Sequence, residues 1–216
     1  MDILEKLFGS SARVKIMRLF LFNTDEVYDI DEVVSRVRVS KINTRKELVV
    51  LEKIGMLRKV SFTKDVEQKR GKKVKTVKKK VTGYEINSNF IYLSALQNLL
   101  INMMPLNTNH ILKKLSTMGR MKLILVSGVF IQEWENTRVD ILIVGDKLKI
   151  PAIELLVRTL EAEIGKEIRY AIFETHDFQY RVGVCDKLVR DILEYPHQKL
   201  IDKIDIEIPR ERSTME

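Results

Sequence analysis

Residues 69–80 read Lys-Arg-Gly-Lys-Lys-Val-Lys-Thr-Val-Lys-Lys-Lys. Eight of these twelve are basic and none is acidic. Such a density of like charge repels itself unless a polyanion answers it, so the chemistry on offer is contact with nucleic-acid phosphates. A solvated, flexible charged loop is the competing reading, and the flanking sequence decides between them. His110, His176 and His197 are scattered, and with one cysteine they form no metal-ligand pattern. No metal and no cofactor is expected.

The whole chain sets the bounds. At 216 residues it holds one large domain or two small ones. A hydrophobic fraction of 45% is ordinary for a folded protein. No apolar run is long enough to cross a bilayer, and Met1-Asp2-Ile3-Leu4-Glu5 lacks the basic-then-apolar order of a signal peptide. No membrane partner is expected. Cys185 is alone and cannot form an internal disulfide, which fits a reducing, cytoplasmic setting. Charge is split unevenly. Residues 1–90 carry 21 Lys+Arg against 12 Asp+Glu, a net of +9, and residues 91–216 carry 17 against 18, a net of −1. The first part is the candidate polyanion-binding module.

Periodicity supplies the elements around the run. Ser10-Ser11 can cap a helix over Ala12–Phe22, with Val14, Met17 and Leu21 on one face and Arg13, Lys15 and Arg18 away from it. A short helix follows over about 29–37, with Ile30, Val33 and Val34 turned inward. After Arg38-Val39-Ser40 comes a third helix, from Lys41 to Ile54, burying Thr44, Leu48 and Leu51. Gly55 stands where a left-handed residue closes a helix. Residues 56–62 and 81–86 have strand character, with a long basic connection between them.

Helix, helix, turn, helix, strand, basic connection, strand is the layout of a winged helix-turn-helix module. The stretch from Ile30 through Ser40 to Leu48-Val49-Val50-Leu51-Glu52-Lys53-Ile54-Gly55-Met56-Leu57 resembles that family's second helix, turn and recognition helix. The resemblance covers nearly all of residues 8–90. It implies that the third helix enters the major groove by its N-terminal half. There Lys41, Asn43, Arg45 and Lys46 face away from Leu48 and Leu51. Arg and Lys donate to guanine edges and Asn pairs with adenine; Asn43 supporting the turn instead is the alternative. The basic run becomes the wing, with Lys69, Arg70, Lys72, Lys73 and Lys75 near phosphates and Gly71 at the tip. The run has no aromatic residue to stack on exposed bases, which favours duplex over single strands.

Beyond Phe90 the pattern changes. Residues 90–103 read as a helix burying Leu93, Leu96, Leu99 and Leu100, and Asn107-Thr108 can cap another through Leu115. Strands are expected over 122–126, 139–144 and 167–174, with a short last one at 199–201. Helices are expected over 150–164, with Leu155, Leu156 and Leu160 inward, and over 176–182 and 186–194. The assembly is a mixed sheet with helices against it. Leu125-Val126-Ser127-Gly128 followed by Arg138-Val139-Asp140-Ile141-Leu142-Ile143-Val144-Gly145-Asp146 resembles the minimal nucleotidyltransferase domains of the polymerase β superfamily. In that family a Gly-Ser ends the first strand, and an Asp-x-Asp starting the second holds metal ions for a nucleoside triphosphate. A third carboxylate comes from a later strand. Here Ser127 matches, Val126 replaces the glycine, Asp140 matches the second carboxylate and Arg138 stands at the first. The third strand offers only Glu174, at its end. One ligand cannot hold two magnesium ions.

The expected fold is α/β, α+β overall: residues 1–90 a winged helix, 91–118 a helical bridge, and 119–216 a degenerate nucleotidyltransferase-like domain with Ser127, Gly128, Arg138 and Asp140 as the relic site. The expected function is a non-catalytic regulator of transcription that binds double-stranded DNA. Two rivals stay open: a nucleotidyltransferase that holds its substrate with the winged helix, and an RNA- or ribosome-associated protein. The second domain is left to form a homodimer, to sense a nucleotide or other anion, or to dock a partner. Arg138 suits phosphate without metal. Trp134 either stacks on a base or pins its loop to the core, and pinning is favoured.

Overall fold

The computed structural model describes residues 3–70, 73–103, 108–133 and 138–204, with the backbone alone for 67–70 and 73–75. It is a mixed α+β protein with two sheets, and it divides into two compact units. The first comprises residues 1–104 and 158–167, the second 105–157 and 168–216. The bridge expected over 91–118 is therefore shared between them. No helix among the described residues is long and apolar enough to cross a membrane.

In the first unit, α1 (Ile3–Phe8) leads to α2 (Ser11–Phe22), whose first turn is closed by Ser10 accepting from the Arg13 N–H at 3.2 Å. Val14, Ile16, Met17, Leu19, Phe20 and Leu21 are all buried, so α2 is the axis of this core. A two-residue strand β1 (Tyr28–Asp29) precedes α3 (Ile30–Val37), and α4 spans Lys41–Lys53. A capping box starts α3: Asp29 Oδ1 accepts from the Glu32 N–H at 2.9 Å, and Glu32 Oε2 from the Asp29 N–H at 2.8 Å. Arg38 ends α3 in the left-handed region (φ 53°), and Gly55 (φ 81°) follows α4.

The hairpin is longer than the sequence suggests. Strands β2 (Leu57–Arg70) and β3 (Lys73–Ile86) pair antiparallel along their whole length, from Leu57 opposite Ile86 to Arg70 opposite Lys73. Most of the basic run is thus strand rather than connection. Val74, Thr76 and Val77 within it favour a strand, and exposed lysines such as Lys78, Lys79 and Lys80 need no burial. Gly71 and Lys72, the expected tip, lie outside the described residues. The sheet order is β1-β3-β2. At Gly83, beside β1, a Cβ would sit 2.6 Å from the Phe62 ring and 3.0 Å from the Tyr28 carbonyl oxygen.

Two further corrections concern this unit. Arg18, expected on the outer face of α2, is buried; its Nε donates to the Leu100 carbonyl at 3.2 Å and its Nη1 to the Glu163 carbonyl at 3.1 Å. The expected helix over 90–103 is α5 (Leu93–Gln97) continuing as a π-helical turn, Asn98–Asn102. The wider turn shifts the phase of the apolar stripe, so Leu100 and Ile101 are buried while Leu93, Leu96 and Leu99 are only half-buried.

The second unit contains α6 (Thr108–Leu115), β4 (Arg120–Val126), β5 (Ile141–Asp146), the first half of α7 (Ile150–Ile164), β6 (Tyr170–Glu174), α8 (Thr175–Gly183), α9 (Lys187–Glu194) and β7 (Gln198–Asp202). Its sheet runs β6-β5-β4-β7, with β5 and β6 parallel and the other pairs antiparallel. Leu155, expected inward on α7, is exposed. The buried stripe is Ile153, Leu156, Val157, Leu160 and Ile164, and Leu155 falls off it. Trp134 and Asn107 lie outside the described residues.

Candidate nucleic-acid interface

Helix α4 presents its charge because its other side is locked down. Thr44, Leu48 and Leu51 are fully buried, each leucine contributing roughly 1.5–3 kcal/mol. Glu47 joins them and accepts from Arg13 Nε at 2.8 Å, tying α4 to α2. At 3.6 residues per turn this leaves Ile42, Arg45, Lys46 and Val49 on the opposite side, and all four are exposed, Ile42 to 81%. Arg45 and Lys46 have no ion pair among the described residues. Lys41 is exposed but engaged in an ion pair with Asp31. Asn43 is exposed, and its N–H donates to the Ser40 Oγ at 3.4 Å, so its backbone supports the helix start while its side chain stays at the surface.

The hairpin is rooted in α3. Lys64 Nζ lies 2.9 Å from Asp29 Oδ2 and 2.6 Å from Glu32 Oε1, joining β2 to the capping box. Burial works against the Asp29 carboxylate, but hydrogen bonds from Lys64 and the Glu32 N–H outweigh it and hold its pKa below the ordinary value. Hydrogen bonds to the Glu32 carboxylate and then to Asp29 raise that of Lys64. Lys64 is thus an anchor within the basic ribbon, a role nothing in its local sequence signals.

Further out the lysines separate by strand alternation. Lys78, opposite Asp65, and Lys80, opposite Thr63, share one face; Lys79, opposite Lys64, takes the other. All three are exposed and none has an ion pair among the described residues. Arg70 and Lys73 pair at the far end of the ladder, with Lys75 opposite Gln68 and Lys69 opposite Val74. Only the backbone of these four basic residues is described, and Lys72 lies outside the described residues.

The second candidate cluster is in the other unit. Ser127 follows β4 and Asp140 precedes β5, both buried. The Ser127 hydroxyl donates to the Val139 carbonyl, and its N–H donates to the Asp140 carbonyl at 2.9 Å. Gly128 opens a single 3₁₀ turn with φ 53°. The Asp140 carboxylate accepts from Arg169 three times, from its N–H at 2.9 Å, Nε at 3.1 Å and Nη2 at 3.2 Å, and from the Val129 N–H at 3.4 Å. Arg138 pairs with Asp191 of α9 at 2.6 Å.

Glu174 is not brought to this place. The parallel register sets Tyr170 opposite Ile141 and Glu174 opposite Gly145, so Glu174 lies five residues from the level of Asp140, or roughly 16 Å, along the sheet. Among the described residues no group of three or more His, Cys, Asp or Glu could hold a metal ion. Arg169 and Asp191 are the residues that sequence reasoning missed here; neither sits in a motif with its partner. No protein-family model matches the chain, and no curated protein and no solved structure matches it.

Proposed function

We propose that this chain is a non-catalytic, DNA-binding regulator of transcription whose first unit acts as a winged helix-turn-helix module. The observation that carries it is the exposed face of α4, with Ile42, Asn43, Arg45 and Lys46, followed directly by a 14-residue-per-strand basic hairpin. In this reading α4 enters the major groove. Arg45 and Lys46 donate to guanine edges, Asn43 pairs with adenine, and Ile42 meets thymine methyl groups. The hairpin lies along the phosphates, so it supplies affinity and α4 supplies sequence choice. Lys41 reaches the bases only by leaving Asp31.

The second unit is read as a nucleotidyltransferase-like domain that binds rather than catalyses. Supporting this, the one matching carboxylate, Asp140, is occupied by Arg169, and Arg138 stands at the position of the first. A dimer interface or an anion site is the role left to this unit.

Gel-shift titration of duplex DNA at several salt concentrations tests the reading. Log affinity should fall by about one unit per unit of log salt for each phosphate contact. Structured RNA should compete weakly. Tighter binding to RNA than to duplex, or duplex affinity unchanged by neutralising Lys72, Lys73 and Lys75, overturns it. Incorporation of labelled nucleotide with magnesium, lost in Asp140→Ala, would overturn the non-catalytic part.

A further inference from the structure

A groove of about 490 Å³ opens within the first unit, in the size range of small-molecule sites, roughly 300–1,000 Å³. Its walls carry four cations, Arg36, Arg38, Arg158 and Lys166, against two carboxylates, Glu161 and Glu167. The balance of +2 favours an anion. Parts of the wall are fixed. Arg36 pairs with Glu167 at 2.7 Å and packs over the Tyr28 ring at 5.5 Å. Gly165 (φ 87°) fits so closely that a Cβ there would lie 2.5 Å from the Arg18 carbonyl carbon.

Two guanidinium groups remain for a ligand. Arg38 is held in left-handed backbone at the end of α3, and among the described residues its Nη1 reaches the Thr159 hydroxyl, at a long 3.4 Å. Arg158 is exposed on α7 and has no ion pair among the described residues. A guanidinium presents a planar fork that matches two phosphate oxygens. Ser35 and Glu161, also in the lining, can bond to hydroxyl groups. None of the lining residues is aromatic, so the groove gives no platform for stacking a nucleobase.

We propose that this groove binds a compact phosphorylated polyol or sugar, with Arg38 and Arg158 on the phosphate and Ser35 and Glu161 on the hydroxyls. The inference does not depend on DNA binding.

Isothermal titration calorimetry of the full chain with ribose 5-phosphate, in chloride near physiological strength, is the test. One site is expected, and AMP should bind no more tightly than the sugar phosphate. Affinity should fall at least about tenfold in the Arg38→Asn/Arg158→Gln double variant, the effect of one charge-assisted hydrogen bond. Asn tolerates left-handed backbone, which protects the fold. Arg158→Gln alone, at an exposed helix position, should still weaken binding several-fold and keeps the test decisive if the double variant is unstable. No heat with ribose 5-phosphate, or unchanged affinity in the folded variants, overturns the proposal. So does inorganic phosphate binding equally well, since the hydroxyls would then be unread. Loss of binding in Lys78→Gln/Lys79→Gln/Lys80→Gln instead would assign the anion to the hairpin and equally overturn it.

Discussion

Arg138 and Arg169 in the second unit each meet a carboxylate of their own chain, Asp191 and Asp140. Lys78, Lys79 and Lys80 on the hairpin and Arg45 and Lys46 on α4 meet none among the described residues. The two clusters therefore differ: the one in the second unit is resolved internally, and the one on the hairpin and α4 is left outward. A cation with its own counter-ion is part of the fold. A row of cations without one raises the local potential and costs self-repulsion, which binding a polyanion relieves. Within the first unit the same contrast recurs at close range. Lys64 and Lys79 stand opposite each other in the ladder, yet Lys64 is tied to Asp29 and Glu32 while Lys79 is exposed.

The contrast predicts that changes in the outward set alter binding and leave stability alone, and that changes in the inward set do the reverse. The largest effect should come from replacing Lys72, Lys73, Lys75, Lys78, Lys79 and Lys80 by Gln. If about half touch phosphate, duplex affinity should fall by roughly a hundredfold near physiological salt, and the log–log salt slope should shrink by about three. The urea midpoint should stay or rise. A lower midpoint would mean these lysines belong to the fold.

Next, Asp140→Ala should cost about 2–3 kcal/mol, read as a lower urea midpoint. It strands the Arg169 and Val129 donors around a buried site, and the half-exposed Arg169 side chain recovers part of the loss in water. Duplex affinity should change less than twofold. A large loss of affinity would break the division of labour between the units.

The smallest effect should be Lys64→Met, about 1 kcal/mol or less, since the pair is partly exposed. The sign with pH is set by the depressed Asp29 pKa. Its stabilising contribution is present above the ordinary aspartate value, about 3.9, and is lost as pH falls through the lower native value. The difference between wild type and Lys64→Met, followed by urea unfolding, should thus narrow in acid. At the other end, the raised Lys64 pKa keeps its contribution in place up to the ordinary lysine value, and it fades as pH rises through the higher native one. A difference that held constant from neutral to strongly acid pH would assign Lys64 a packing role alone.

Local signals carried much of the fold. The cap at Ser10, the glycine after α4, and the apolar spacing of α2, α3, α4 and α7 are decided within a few residues, and their helices form near the expected bounds. The candidate α4 face was legible for the same reason: once Thr44, Leu48 and Leu51 turn inward, 3.6-residue periodicity leaves Arg45 and Lys46 outside. The hairpin length was not legible, because strand pairing is confirmed only across the ladder, and lysines on a solvated ribbon leave no apolar alternation to read. Arg18 was misplaced because long-range carbonyl partners, Leu100 and Glu163, decide whether an arginine can be buried.

The site in the second unit shows the limit most sharply. Residue order alone placed Arg138 and Asp140 two positions apart, with no carboxylate between them. Only the tertiary structure decided what neutralises them. Parallel pairing of β5 with β6 sets Arg169 against Asp140 and carries Glu174 away, and α9 supplies Asp191 to Arg138. Those partners lie 29 and 53 positions apart from the groups they satisfy. Ion pairing acts over a few ångströms, and a folded chain makes such neighbours out of residues that sequence spacing keeps apart.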